Sequence, residues 1–308
     1  MTTYPRNLAE LEALVSNVES CREYLAQTRW PDGFTCPSCG GRESWRMAGG
    51  RWLCQDCRRQ VSATAGTIFQ DSRMGLDTWF RAIWHVTCQK SGASALGLQR
   101  EIGFGSYQTA WAWLQKLRRA MVRQGRDRLS GTVEVDETYL GGHRPGKRGR
   151  GADGKTLVFI AAELKDGRIG RIRLQVLEDA SQESLPAAVQ AAIEPGSQVV
   201  TDGWDGYNPI ESMGYRRKVA RSDTGPGANL LPSCHRVASL LKRWILGTHQ
   251  GAVSKEHLSY YLDEFTFRFN RRSSGSRGLL FYRLLQQAAQ TPPHTYRDIV
   301  NPQDMGGG

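Results

Sequence analysis

No stretch of this 308-residue chain approaches the roughly 20 consecutive apolar residues that a membrane span needs, so the sequence does not read as a helical membrane protein. The opening residues, Met1-Thr2-Thr3-Tyr4-Pro5-Arg6-Asn7, lack the apolar core of a signal peptide, and the expected compartment is the cytoplasm. Cysteine is too sparse for a disulfide scaffold. Its seven copies are an odd number, and four of them fall in two close pairs, a pattern that suits metal binding in a reducing compartment. Acidic charge is also in deficit, with 30 Asp and Glu against 41 Lys and Arg and a formal net charge of +11. Such an excess biases the chain toward a polyanionic partner, nucleic acid above all, and net charge alone leaves an ordinary solvated surface open as the alternative.

The paired cysteines are Cys36-Pro37-Ser38-Cys39 and Cys54-Gln55-Asp56-Cys57, two C-x-x-C knuckles around a spacer carrying Gly40-Gly41, Trp45, Gly49-Gly50 and Trp52. Each knuckle presents two thiolates from one tight turn, and two knuckles complete a tetrahedral site with four protein ligands. No position is left open for substrate, so the expected role of the zinc is structural. A ribbon this small cannot bury a core, and the metal supplies its folding energy. Two knuckles at ribbon spacing outweigh a redox C-x-x-C reading. Arg58 and Arg59 follow the second knuckle, with Arg42, Arg46 and Arg51 nearby, and are expected to contact DNA phosphates. Cys21 and Cys88 fall in helical patterns and read as packed thiols.

From Leu76 to about Arg123 the period turns helical: Trp79, Phe80, Ile83 and Trp84 recur at three- and four-residue spacing, as do Trp111, Leu114 and Leu117. Ser94–Ile102 gives a short helix, Gly103 and Gly105 a turn, and Ser106 or Thr109 the start of a longer helix. This order predicts a helix-turn-helix-like DNA-binding module, with a plain helical hairpin as the alternative.

Beyond Ser130 strands and helices alternate. Two acids stand where an acid is expensive: Asp136 inside the apolar run Thr132–Leu140, and Asp202 at the end of Ser197–Gly203. The valines favour strands, and Gly141-Gly142 and Gly203 favour turns, so each acid is expected at or near the end of a core strand. Burying either charge unpaired would cost several kcal/mol, whereas two acids from separate strands can share a divalent cation. That is the pattern of metal-dependent phosphoryl transfer. Leu157–Leu164 and Ile169–Val176 form a hairpin about Lys165-Asp166-Gly167, and Ser181–Ile193 reads as a helix with Ser181 as its cap. Strand, hairpin, helix, strand, helix is the order of a ribonuclease H-like α/β fold. The expected fold class is therefore multidomain, α+β and α/β: a small four-cysteine zinc ribbon, a helical helix-turn-helix-like module and a ribonuclease H-like mixed sheet. The expected divisions are N-terminal helices at 1–30, the ribbon at 31–73, the helical module at 74–128, the catalytic domain at 129–290 and a flexible tail at 291–308.

A third ligand should come from a later helix. On a helix starting near Ser233, His235, Ser239 and Lys242 share one face, while Val237, Leu240, Leu241 and Trp244 face the core. His235 is the candidate ligand, with Asn229 as the alternative, and Lys242 and Arg243 are candidate phosphate contacts. Glu137 points to the opposite face of a regular strand from Asp136 and ranks below the three ligands. Glu134 and Asp205 read as surface or pairing residues. Gly149–Thr156 satisfies the phosphate-binding-loop pattern literally, but a basic coil precedes it and a strand follows, so no nucleotide is expected. The segment His143–Arg150 reads instead as a DNA-backbone clamp carried by Arg144, Lys147, Arg148 and Arg150.

Taken together, the two knuckles, Ser62–Phe69, Val135–Tyr139, Thr201–Gly203 with Tyr207, Leu241–Arg243, Gly247–His249 and Tyr261–Arg272 resemble one family. It is the bacterial insertion-sequence transposases of the DDE type, which join an N-terminal zinc ribbon to a ribonuclease H-like, ISXO-type catalytic domain. The resemblance runs from about Trp30 to Leu285. It implies DNA strand cleavage and strand transfer by two-metal phosphoryl transfer with Mg2+ or Mn2+. It further implies double-stranded element ends and target DNA as partners, a homo-oligomer on DNA, and a place at the nucleoid. Asp136 and Asp202 correspond to the family's first two acids. The third position departs from the pattern: many relatives carry glutamate seven residues before the lysine, where this chain has His235. Imidazole suits Mn2+ better than Mg2+, which prefers oxygen. Two rival functions remain. A zinc-ribbon and helix-turn-helix regulator accounts for residues 1–125 but not for the acids, and a ribonuclease H-like nuclease shares the acids but joins no ends.

Overall fold

The computed structural model describes residues 4–123, 125–141, 155–221, 229–251 and 253–301. The chain begins with helices α1 (Leu8–Val15) and α2 (Val18–Arg29), then strands β1 (Ser44–Met47), β2 (Arg51–Cys54) and β3 (Gln60–Ser62). Helices α3 (Leu76–Cys88), α4 (Ala95–Ile102) and α5 (Tyr107–Ala120) follow. Next come β4 (Thr132–Gly141), β5 (Lys155–Lys165), β6 (Arg168–Leu177), α6 (Ser184–Ala192) and β7 (Gln198–Thr201). A 3-10 helix (Asp205–Met213) leads to β8 (Arg216–Val219), α7 (Pro232–His249), α8 (Leu258–Asn270), α9 (Arg277–Ala288) and α10 (Tyr296–Val300). None of the described helices is long and apolar enough to cross a membrane. The chain divides into two compact units, Met1–Arg123 with Ser273–Gly308, and Gln124–Arg272.

In the first unit β1, β2 and β3 make an antiparallel ribbon. The Arg29 guanidinium, at the end of α2, donates to the carbonyls of Ser62 (3.2 Å) and Ala63 (2.9 Å). This fixes the segment leaving the ribbon, whose Thr67, Ile68 and Phe69 are buried. Phe69 lies edge-on to Trp79, and Trp79 stacks on Trp113 with ring centroids 3.5 Å apart. The short helix, turn and longer helix expected after Ser94 are present. Ser94 caps α4 by accepting from Gly97 N (3.0 Å), Gly103 closes it in the left-handed region (φ 78°), and Ser106 caps α5. Glycine adopts that conformation at little cost, which is why the turn can be four residues long.

Residues 273–301 depart from the expected divisions. The boundary at 290 assigned α9 to the catalytic sheet, but α9 packs on α3 and α5, with Phe281 buried against Phe80 and Trp84. An apolar stripe on a helix marks burial but carries no record of which surface covers it. The expected flexible tail also contains α10. Thr295 and Asp298 form a reciprocal capping box, and Ile299 is fully buried, so this stretch has both the cap and the anchor a short helix needs. Residues 302–308 lie outside the described residues.

The second unit is a five-stranded mixed sheet in the order β6-β5-β4-β7-β8. The β4-β5 and β5-β6 pairs are antiparallel, and the β4-β7 and β7-β8 pairs are parallel, the arrangement of a ribonuclease H-like fold. Asp166 and Gly167 both take positive φ (51° and 70°), the two-residue turn whose twist matches a hairpin. The helix expected from Ser181 starts at Ser184, and the Ser181 hydroxyl accepts from Ser184 N at 3.1 Å. One face of the sheet packs Val133, Val135 and Phe159 against α6 and the 3-10 helix. The other packs Val158 and Ile160 against Val237 and Leu241 of α7 and Leu262 and Phe265 of α8. Alternation along β4 therefore sends Glu134 and Asp136 to the α7 face and Glu137 to the α6 face.

Candidate active site and zinc centre

Both knuckles of the ribbon are closed by backbone hydrogen bonds. Gly40 N donates to Cys36 O (2.9 Å) and Arg58 N to Cys54 O (3.1 Å), and both Gly40 and Arg58 take positive φ (77° and 58°). The turns aim four sulfurs at one point: Cys36 and Cys57 Sγ are 3.7 Å apart, and Cys39 and Cys54 Sγ 3.6 Å. Tetrahedral Zn–S bonds of about 2.3 Å separate their sulfurs by about 3.8 Å, which these two pairs match, and all four sulfurs lie within 4.8 Å of one another. Burial works against a thiolate at Cys36, but N–H groups of Ser38 and Cys39 facing the sulfur hold it down, while hydrogen bonds to the other cysteines push Cys39 up, so without metal the cluster shares its protons unevenly. The thiolate is the form a metal takes. Outside the knuckles, the exposed Arg58 lies over the Trp45 ring at 4.8 Å and Arg59 donates to Ser38 Oγ at 3.1 Å. The two arginines thus stand on the ribbon surface with their side chains already oriented.

The acids occupy the sheet's α7 face. Asp136 is in the interior of β4 rather than at its end, because β4 continues to Gly141 against β5. Its pairing with β7, however, stops at Glu134↔Val200. Carrying the same register two residues further sets Asp136 opposite Asp202, which lies just past the end of β7. The two carboxylates therefore meet where neighbouring parallel strands part, at their C-terminal ends, the position open α/β sheets use for ligands. His235, in the first turn of α7, brings Nε2 to 3.2 Å from Asp136 Oδ2. Burial pushes the Asp136 carboxyl up, Asp202 adds to the rise, and the N–H of Glu137 and the His235 ring only partly offset it. Two facing carboxylates and an imidazole are a donor set for a divalent cation, Mn2+ more readily than Mg2+. Asp202 Oδ1 is engaged by Trp204 N at 3.0 Å. Among the described residues only the four cysteines bring all their ligand atoms within 4.8 Å of one another, so the acid–acid–histidine set is open by comparison.

What holds His235 in place was not legible in the sequence. No side chain of α7's own caps its first turn. Instead Glu134, from β4 and 6% exposed, accepts from Ser233 N (2.8 Å), Cys234 N (3.2 Å) and Ser233 Oγ (3.1 Å). A buried carboxylate at a helix N-terminus satisfies orphan N–H groups and complements the helix dipole. The pairing role expected of Glu134 has here a definite partner, remote in sequence. Replacing Glu134 with Ala leaves both N–H groups unpaired and should destabilise the chain by about 2–3 kcal/mol in denaturant unfolding. Glu134→Gln keeps one acceptor and should lose roughly half as much, since a neutral acceptor bonds about half as strongly as a charged one. Wild-type stability in both variants would mean the cap is dispensable.

Lys242 lies two turns along α7 on the His235 side. Burial and the charge of Lys155 depress its ammonium, and Asp136 opposes them. Lys155 is the first residue of β5, and its charge is felt at Lys242, a proximity the sequence did not reveal. In the sequence this lysine falls inside the phosphate-loop-like Gly149–Thr156, which the strand context excludes. Arg243 is exposed beside Lys242, and Asn229 is exposed ahead of α7. Arg144, Lys147, Arg148 and Arg150 lie outside the described residues. Glu137, as expected, points away from Asp136, and there it accepts from the hydroxyl of Tyr207.

Comparison with known proteins agrees with this division of labour. Residues 128–270 match the ISXO2-like transposase domain, and residues 16–60 match the transposase zinc-ribbon domain. A Halobacterium salinarum protein, described as an uncharacterized protein in transposable element ISH50, is 33% identical over 277 residues. The match covers 79% of this chain and 88% of that relative.

Proposed function

The chain belongs to the insertion-sequence transposases that couple a zinc ribbon to an ISXO2-like domain, and from that premise we propose a cleavage and strand-transfer centre at Asp136, Asp202 and His235. The observation that carries this reading is His235 Nε2 3.2 Å from Asp136, with the β4–β7 register, continued two residues past its last pair, pointing Asp136 toward Asp202. A divalent cation held there would activate the attacking water or 3′-hydroxyl and stabilise the leaving oxygen. Asp136 and Asp202 supply the anionic oxygens, and His235 the neutral nitrogen. Lys242 and Lys155 hold the phosphate being attacked, and Arg243 extends that contact along the backbone. The arginines of the ribbon and the α4–α5 module bind the element ends. Two ends must be held together for joining, so the active form is an oligomer on DNA. A ribbon and helix-turn-helix regulator would leave the costly facing acids without a purpose.

The test is a joining reaction with a duplex carrying the native element end, a plasmid target and Mn2+. Wild type should join the ends, and His235→Ala should lose about 10²-fold or more, the worth of several kcal/mol of ligand. His235→Glu should join with Mg2+ as well as Mn2+, because it supplies oxygen. Undiminished joining by His235→Ala would move the third ligand to Asn229 or elsewhere. Cutting without joining by wild type would identify a nuclease.

A further inference from the structure

The two acids of this centre sit on separate segments, and the ladder between those segments ends two residues short of both. Something other than strand pairing must set their separation. The turn after β7 is itself a braced body. Arg217 donates to Thr201 Oγ1 (3.3 Å), to Trp204 O (3.0 Å) and to Asn208 Oδ1, and Trp204 Nε1 donates to Ala180 O (3.0 Å). Gly206 lies so close to its surroundings that a Cβ there would come within 2.7 Å of Leu185 Cδ1 and 2.8 Å of Ala180 O. These contacts fix the turn to β8 and to the α6 side. Tyr207 ties it to β4: its ring is fully buried, and its hydroxyl donates to Oε1 of Glu137, the residue next to Asp136.

Packing alone does not explain a tyrosine here. It belongs to the same buried cluster as Val133, Val135, Phe159 and Leu185, an apolar setting that would accept a phenylalanine equally well. Burying a hydroxyl in such company costs free energy unless the hydrogen bond is made. We propose that the Tyr207–Glu137 hydrogen bond is the strut that sets the spacing of Asp136 and Asp202, which makes Tyr207 a positioning residue for the two acids. This rests on the metal-centre reading above. The strut works from the α6 face, opposite the ligands, and so supports them without occupying the site. Partners of metal ligands that act in this way typically contribute about 10–100-fold in metal affinity.

The same core supplies a control. Tyr215 is also buried, and its hydroxyl donates to Ile193 O at 3.0 Å. It precedes β8, at the end of the parallel strands away from the acids. The experiment titrates the full-length, zinc-loaded chain with Mn2+ and reads free Mn2+ by electron paramagnetic resonance, with melting temperatures measured in parallel. Tyr207→Phe should weaken Mn2+ binding about 10-fold. Tyr215→Phe, losing a comparable buried hydrogen bond, should bind within twofold of wild type. If Tyr207→Phe does not fold, Glu137→Ala removes the acceptor from a less buried position and should show the same loss. Equal Mn2+ affinities for the two tyrosine variants, whether both weakened or both intact, would overturn the strut. Wild type binding Mn2+ no better than Asp202→Asn would instead overturn the metal-centre reading, and the strut with it.

Discussion

Asp136→Asn and Asp202→Asn should each lower strand cleavage at an element end by on the order of 10³-fold or more, about 4 kcal/mol of barrier. The argument is electrostatic. Asp136 and Asp202 lie two residues past the last β4–β7 pair, the Glu137 N–H and the His235 ring contact Asp136, and burial still disfavours its charge. Such an arrangement is costly to keep unless a cation occupies it during the reaction, and removing either carboxylate removes half of the anionic donors. DNA binding should move the other way. An asparagine takes a negative charge away from a surface that must accept phosphates, so affinity should stay level or tighten slightly. A cleavage assay and an electrophoretic mobility shift on the same preparations separate the two. Active Asp202→Asn protein would reject the centre. Loss of binding in step with cleavage would point to a damaged fold.

How far the sequence foretold this depends on whether the interaction was local. The valine run into Asp202 and the glycine after it are local, and β7 ends where they placed it. The hairpin at Asp166-Gly167 and the start of the longer helix, which the sequence put at Ser106 or Thr109, are local as well; the hairpin is present and Ser106 is the cap. Alternation placed Glu137 on the far side of β4 from Asp136, which is correct, but it could not supply Tyr207, a neighbour through the fold alone. Glu134 is the same case on a larger scale. An isolated glutamate in a strand reads as a surface or pairing residue, and only the docking of α7 on β4 turns it into a helix cap. Lys155 was obscured by a motif that matched in letters and failed in context. The join between α9 and the first unit needed knowledge of which apolar face met which, and periodicity does not hold it.

On the proposed reading, function rests on two kinds of support at the Asp136–Asp202–His235 set. The register of β4 with β7 puts the acids in line, a property of backbone pairing that side-chain substitution barely alters. The placement of His235 depends instead on Glu134 holding the first turn of α7, and the spacing of the acids on Tyr207. Variants of the supports should therefore reduce activity by degrees, whereas variants of the acids should abolish it.

Zinc removal should produce the other large effect, and in a different place. The ribbon has three strands of four, four and three residues, and its own buried cluster is Cys36, Cys54 and Val61. That area is far too small to offset the entropy of ordering the segment, so bound metal must supply most of its stability. Structural zinc in such sites is worth roughly 10–16 kcal/mol of apparent folding free energy. Cys54→Ser, or chelation of the wild type, should release one zinc per chain and open the ribbon. Trypsin gives a direct readout, because Arg46 and Arg51 lie in β1 and β2 and become cleavable only when those strands separate. End binding should fall at least about 10-fold, with a shallower salt dependence, as the ribbon's phosphate contacts are lost. The sheet that carries Asp136 and Asp202 belongs to the other unit and needs no zinc, so Mn2+ binding there should persist. Retention of zinc by Cys54→Ser would contradict the four-sulfur site. Loss of Mn2+ binding on chelation would mean that the two centres depend on each other.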